Sequence, residues 1–174
     1  MTHNTDGKEQ FTGLILLTGV DQPGISAALF ECLAPFAVSI IDVEQIVISD
    51  RLILTVLIGL NPSHQKAIEA DLEQCASANN IDIATLFENR QLFSVKSELV
   101  DITISAAKLH PATLAKVSGS LRDIGANIES ISRITGANTS ISFKVSNAIS
   151  GEVEAWLSSL TFEDGTLISI QAHR

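Results

Sequence analysis

The chain has 174 residues, 45% of them hydrophobic and 18% charged, the balance of a globular protein rather than a disordered one. Its 11 Lys+Arg against 20 Asp+Glu give a formal charge of −9, and no basic stripe interleaved with aromatics is present to neutralise phosphates, so nucleic-acid binding is disfavoured. Apolar stretches such as Leu52 to Leu60 fall far short of the roughly 20 residues of a membrane span, and Met1 to Gln10 is polar without an apolar signal core; the expectation is a cytoplasmic protein.

Taken in chain order, the first half reads as strand 12–20, helix 23–36, strands 38–49 and 51–60, helix 62–79 and strand 81–93. Ile25, Leu29, Leu33 and Phe36 recur at helical spacing in the first helix, and Ile68, Leu72 and Cys75 in the second. Asn61 and Pro62 supply the second helix with an N-cap and a first-turn proline, and Ser49 with Asp50 makes a short hairpin turn. The second half reads as strand 99–106, helix 111–124, strands 127–134 and 140–146, helix 150–160 and strand 166–172. Gly136 and Asn138 fall in its hairpin turn, Gly165 precedes its last strand, and Ser94 to Glu98 is the linker.

The two halves are a repeat. An offset of 88 sets Pro23 over Pro111, Leu14 over Ile102, Leu16 over Ile104, Leu29 over Val117, Leu33 over Leu121, Val43 over Ile131 and Leu57 over Val145. The order βαββαβ in each is the split βαβ, ferredoxin-like arrangement, an α+β fold with both helices on one face of an antiparallel sheet. The expected domains are 10–94 and 95–174, paired side by side into one continuous antiparallel sheet. On the strand 51–60, Leu52, Leu54, Val56, Ile58 and Leu60 share one face while Ile53 and Leu57 occupy the other, so the face without helices is also apolar and needs cover through self-association.

No metal is expected, because His3, His64, His110 and His173 lack ligand spacing and neither Cys32 nor Cys75 belongs to a Cys-x-x-Cys or Cys/His cluster; buried structural thiols are the better reading. No nucleophile is paired with a base, and no cofactor fingerprint is present. Trp156, beside Val153, Leu157 and Leu160, reads as core. Glu44 and Gln45 on the second strand could reach a ligand, and Arg51 and Arg133 could pair with carboxylates, but solvated strand and hairpin residues are the commoner reading.

The informative stretch is the strand-to-helix turn "TGVDQPGIS", Thr18 to Ser26. A helix N-terminus offers unpaired N–H groups to an anion, Gly24 lets a ligand approach the backbone, Pro23 sets φ for the start of the helix, and Asp21 can face an ammonium. An amino acid carries both charges. The same residues also serve as an ordinary turn, with Asp21 as a cap, and that reading stays open.

"GVDQPG" (19 to 24) and "DVEQIVI" (42 to 48), with "GANIESIS" (125 to 132) in the second half, resemble the tandem N-terminal ACT domains of actinobacterial-type phosphoserine phosphatases. The resemblance implies a regulatory module that binds an amino acid, serine or glycine, at an interface between two copies, in a homodimer or higher oligomer. The family's catalytic Asp-x-Asp-x-Thr/Val signature is absent, so the chain by itself is expected not to be an enzyme; it is either the regulatory part of a larger one or a free-standing regulator similar to the two-ACT glycine-cleavage repressors. An oligomerisation scaffold is the alternative. The resemblance further implies a ligand site combining Asp21, Gln22, Gly24 and Ile25 with Asn127, and a weaker one combining Lys108, His110 and Ala112 with Ser39, where the acidic partner is missing.

Overall fold

A computed structural model describes residues 9–91, 99–134, 136, 139–148, 150–162 and 165–172. The linker Ser94 to Glu98, Asn138, His3 and His173 lie outside the described residues. The chain divides into two units, Met1–Ser94 and Val95–Arg174.

The first unit contains β1 (Glu9–Val20), α1 (Ile25–Leu33), β2 (Ser39–Ile48), β3 (Arg51–Gly59), a short 3-10 turn (Pro62–His64) leading into α2 (Gln65–Asn79), and β4 (Asp82–Gln91). Its sheet has the order β2-β3-β1-β4, all antiparallel. The central strands are the ones with apolar residues on both faces, and one face is dry: Ile15 and Leu17 of β1 and Leu52, Leu54, Val56 and Ile58 of β3 pack under Ile25, Leu29 and Leu33 of α1 and Ile68 and Leu72 of α2. Phe36 lies beyond the end of α1 and is only partly buried. Asn61 caps the 3-10 turn, its side chain accepting from the Ser63 amide at 3.0 Å, and Ser49 turns the β2–β3 hairpin at φ 59°.

In the second unit β5 (Val100–Ala106), α3 (Pro111–Asp123), β6 (Asn127–Ile134), β7 (Thr139–Ser146), α4 (Ser150–Leu157) and β8 (Leu167–Ala172) repeat the arrangement with strand order β6-β7-β5-β8. Val100, Ile102, Ile104, Phe143 and Val145 pack under Val117 and Leu121 of α3 and Val153 and Leu157 of α4, with Trp156 partly buried against them. These are two ferredoxin-like repeats. The ladders form two four-stranded antiparallel sheets, one in each unit. Both edge strands β2 and β6 carry a β-bulge, between Ile40 and Asp42 and between Ile128 and Ser130, and a bulge breaks the regular edge that strand addition requires.

Those bulges leave Ile41 and Glu129 unpaired, 88 residues apart, so the repeat is matched down to an irregularity. The central strands correct the alignment. Leu14 and Leu16 are exposed whereas Ile102 and Ile104 are buried, and the core residues Ile15 and Leu17 correspond to Ile102 and Ile104 at an offset of 87. Val56 and Ile58 correspond to Phe143 and Val145 at the same 87, so Leu57, which faces away from the helices, is not the counterpart of the buried Val145. Helix residues Leu29 and Val117 keep the offset of 88. One residue is gained in the turn after β5 and one lost between β6 and β7; because strand side chains alternate, one residue exchanges core for surface.

Candidate functional site

β1 delivers the chain to an exposed turn. The Asp21 amide donates to the Asp50 carbonyl at 2.8 Å, which fastens the turn to the β2–β3 hairpin. Gly24 is the N-cap of α1, with φ 96° and ψ −13° in the left-handed region, and its carbonyl accepts from the Ala28 amide at 2.9 Å. Pro23 lies in the turn before that cap rather than at the start of the helix, as the sequence had suggested. No side chain caps α1, so Asp21 is not the cap of the ordinary-turn reading. A Cβ built on Gly24 meets nothing within 4 Å; the glycine is required by its backbone angle and by nothing packed against it.

Around this turn Asp21, Gln22, Pro23 and Gly24 are all exposed, while the Ile25 side chain belongs to the core. Ile25 therefore has only its backbone N–H to offer. The first-turn amides of α1 lack intrahelical acceptors, and these and the helix dipole make the turn locally positive, with the Asp21 carboxylate alongside. Ser26 donates its hydroxyl to Oε1 of Gln45 on β2 at 2.7 Å. Gln45 thus sits beside the N-terminus of α1 and still has its NH2 group as a donor. The sequence leaves Gln45 open between a ligand contact and a solvated edge residue; what it lacks is the tertiary proximity of β2 to the start of α1.

The corresponding turn of the second repeat is built differently. His110 caps α3 in extended conformation, φ −99° and ψ 147°, without a side-chain cap, and Pro111 occupies the first helical turn. Lys108, His110 and Ala112 are exposed, and Ala112 lies inside the helix rather than at a left-handed cap. Leu109, at the place of Asp21, packs against the second core.

Ser39 and Asn127 each begin an edge strand and each is exposed. The amide of Asn127 is turned inward on its own repeat: Nδ2 donates to Glu129 Oε1 at 2.7 Å, and the Ser146 hydroxyl donates to the same oxygen. These two bonds, that from Ser146 foremost, hold the Glu129 carboxyl below its ordinary pKa against a small desolvation. Neither Glu129 nor Ser146 was a sequence-level candidate. The structure brings Asp21, Gln22, Gly24 and Ile25 together in one turn, Lys108, His110 and Ala112 in another, and sets Asn127 with Glu129.

Cys32 on α1 and Cys75 on α2 are free thiols that interact with each other. Burial, with smaller contributions from Cys75 and Asp71, pushes the Cys32 thiol up to about 11, and burial likewise raises Cys75. These are packed, unreactive thiols. Among the described residues no three His, Cys, Asp or Glu side chains are placed to hold a metal, and no helix is long and apolar enough to cross a membrane.

Residues 12–85 match the ACT domain family. A stretch of 73 residues, 41% of this chain, is 41% identical to phosphoserine phosphatase SerB2 of Mycobacterium tuberculosis and covers 18% of that protein. Over 150 residues, 78% of this chain, it is 26% identical to the phosphoserine phosphatase of Streptomyces coelicolor, covering 33% of it. The chain thus spans a third or less of the length of these relatives. Among solved structures, a proposed glycine cleavage system transcriptional repressor superposes with a TM-score of 0.75 at 16% identity, covering 95% of this chain and 98% of that one. An unknown protein from Galdieria sulphuraria gives 0.75 at 19% identity, covering 96% and 100%. At those identities the likeness establishes the fold. The first repeat is thus similar to ACT domains, and the sequence relatives named here are phosphoserine phosphatases.

Proposed function

We propose that this chain is a regulatory module that binds a free α-amino acid at the turn Asp21 to Ser26 and has no catalytic activity of its own. The observation that carries the reading is the left-handed, uncapped Gly24 at an exposed helix N-terminus, in a turn that also holds the exposed Asp21 and is followed by Ser26 bonded to Gln45. The ligand carboxylate takes the N–H groups of Gly24 to Ser26, and its ammonium faces Asp21. Serine is the favoured ligand, since hydrolysis of phosphoserine yields it and the sequence relatives carry the phosphatase name; glycine is the smaller alternative. By the same reading the chain belongs to, or derives from, the regulatory region of such an enzyme, acting as a feedback sensor of serine synthesis in the cytoplasm.

Calorimetry and thermal shift with serine, glycine and the other amino acids on the full chain test this. The expected result is one ligand per chain and, in Asp21→Asn, a loss of binding of roughly tenfold or more. Lys108, His110 and Ala112, with Ser39, form the weaker set, so Ser39→Ala should cost less. No response to any amino acid at millimolar concentration, or two equal sites, overturns the reading. Hydrolysis of phosphoserine by the purified chain overturns its non-catalytic part.

A further inference from the structure

Among the described residues the two sheets leave four edge strands, and three of them are protected. β2 and β6 are interrupted by their bulges, and β8 is six residues long. β4 has neither device: its ten residues pair with β1 without a shift in register. The direction of its unused backbone groups follows from two bonds on the far side of β1. The Phe11 carbonyl accepts from the Leu60 amide and the Asp21 amide donates to the Asp50 carbonyl, so the odd-numbered residues of β1 turn their backbone groups toward β3. These groups alternate in direction along a strand, so Thr12, Leu14, Leu16 and Thr18 bond to β4 through their register partners Glu88, Leu86, Ala84 and Asp82. Ile83, Thr85, Phe87 and Asn89 are left with N–H and C=O groups directed outward, and none of these four positions holds a proline or a charge. Ile83 and Thr85 also line an open groove of about 590 Å³, within the size range of binding clefts, together with Leu72, Ala76, Glu69 and Glu73 of α2. Against those two carboxylates the groove holds one cation, Lys66.

We propose that β4 and this groove dock an extended, basic segment of a partner protein, which adds to the sheet as a fifth strand and lays alternate aliphatic side chains into the groove. Backbone bonds at Ile83, Thr85 and Phe87 supply the attachment, and the excess of carboxylate selects lysine or arginine in the segment. A second copy of this chain does not fit. Paired through the same edge about a two-fold axis normal to the sheet, it would bring its own Glu69 and Glu73 against these, and the chain as a whole carries −9. The proposal does not depend on the amino-acid site.

The test pans a phage-displayed library of random ten-residue peptides against the full chain, then follows the enriched peptide, synthesised, by fluorescence anisotropy and amide hydrogen exchange. Expected are sequences that alternate aliphatic residues and contain lysine or arginine, with a Kd on the order of 10 μM. The bound peptide should slow exchange at the amides of Ile83, Thr85 and Phe87 and leave Ala84 and Leu86, already bonded to β1, unchanged. Thr85→Pro removes one outward N–H and no bond to β1, and should weaken binding at least ~10-fold in a folded protein. Should that variant not fold, Glu69→Lys with Glu73→Lys on α2 must weaken binding by as much, and an unchanged affinity there overturns the proposal. No enrichment, peptides without the alternation, exchange slowed at Ala84 and Leu86 rather than at their neighbours, or a folded Thr85→Pro that binds as before each overturns it. So does protection of Ile83, Thr85 and Phe87 that rises with concentration in the free chain, the sign that a second copy covers the edge.

Discussion

Replacing Gly24 and Gly119 by alanine should change stability in opposite directions, although neither new methyl group touches anything within 4 Å. At Gly24 the backbone stands at φ 96°, a region that costs an L-residue about 1–2 kcal/mol, against which the stiffer unfolded chain returns about 0.4–1 kcal/mol. The net is a destabilisation of roughly 0.5–1.5 kcal/mol. Gly119 lies inside α3 without a positive φ, so alanine there removes the entropic penalty of a helical glycine and stabilises by about 0.5–1 kcal/mol. Each kilocalorie corresponds to about 4–8 °C in Tm for a domain of this size. Denaturant titrations of the full chain separate the two, because the single tryptophan, Trp156 on α4, reports the second repeat by fluorescence while far-UV dichroism reports both. A Gly24→Ala protein as stable as the wild type would refute the left-handed cap and, with it, the reason for glycine at the proposed ligand turn.

Adjacent residues of β1 should behave unlike one another. Ile15→Ala removes a fully buried side chain and is expected to cost about 2–5 kcal/mol, whereas Leu14→Ala should cost less than about 1 kcal/mol; equal losses would mean that the register is wrong. Cys32 gives an alkaline dependence. Its thiol ionises near 9.0 when unfolded and at about 11 when folded, so between those values the native state holds the extra proton and stability falls as pH rises; Cys32→Ala should flatten that slope in urea titrations from pH 8 to 11. Glu129 acts at the acid end. Its folded pKa is lowered, so its contribution is present above the ordinary carboxylate value and is lost as pH falls through the folded one, and Glu129→Gln should remove this small acid-side slope. A carboxyl resonance followed by NMR that titrates at the ordinary value would contradict the bonds from Ser146 and Asn127.

The candidate site was legible in its parts and not in its connections. Gly24 and Asp21 stand out in the sequence because a glycine, a proline and a carboxylate cluster between an apolar strand and an amphipathic helix. That Gly24 is left-handed while its counterpart Ala112 lies inside a helix is not written in that cluster, since both turns pair a proline with a small residue at the same spacing. Gln45 joins the site through Ser26, 19 residues away in sequence, and Asn127 is held by Glu129 at a bulge that shifts the register of β6. Such partners are chosen by which strand lies over which helix end.

Element order, the apolar faces of the helices and the existence of two repeats were fixed by the sequence alone, because each rests on a local period of 3.6 or 2 residues that survives without knowledge of the partner. Which face of a strand is dry was not. The helices and edge strands β2 and β6 match at 88 and the central strands at 87, and since side chains alternate along a strand, Leu14 and Leu16 go to the open face while Ile15 and Leu17 go to the core. Only the long-range pairing of β1 with β3 and β4 sets that register, and with it which residues of β1 are buried under the helices.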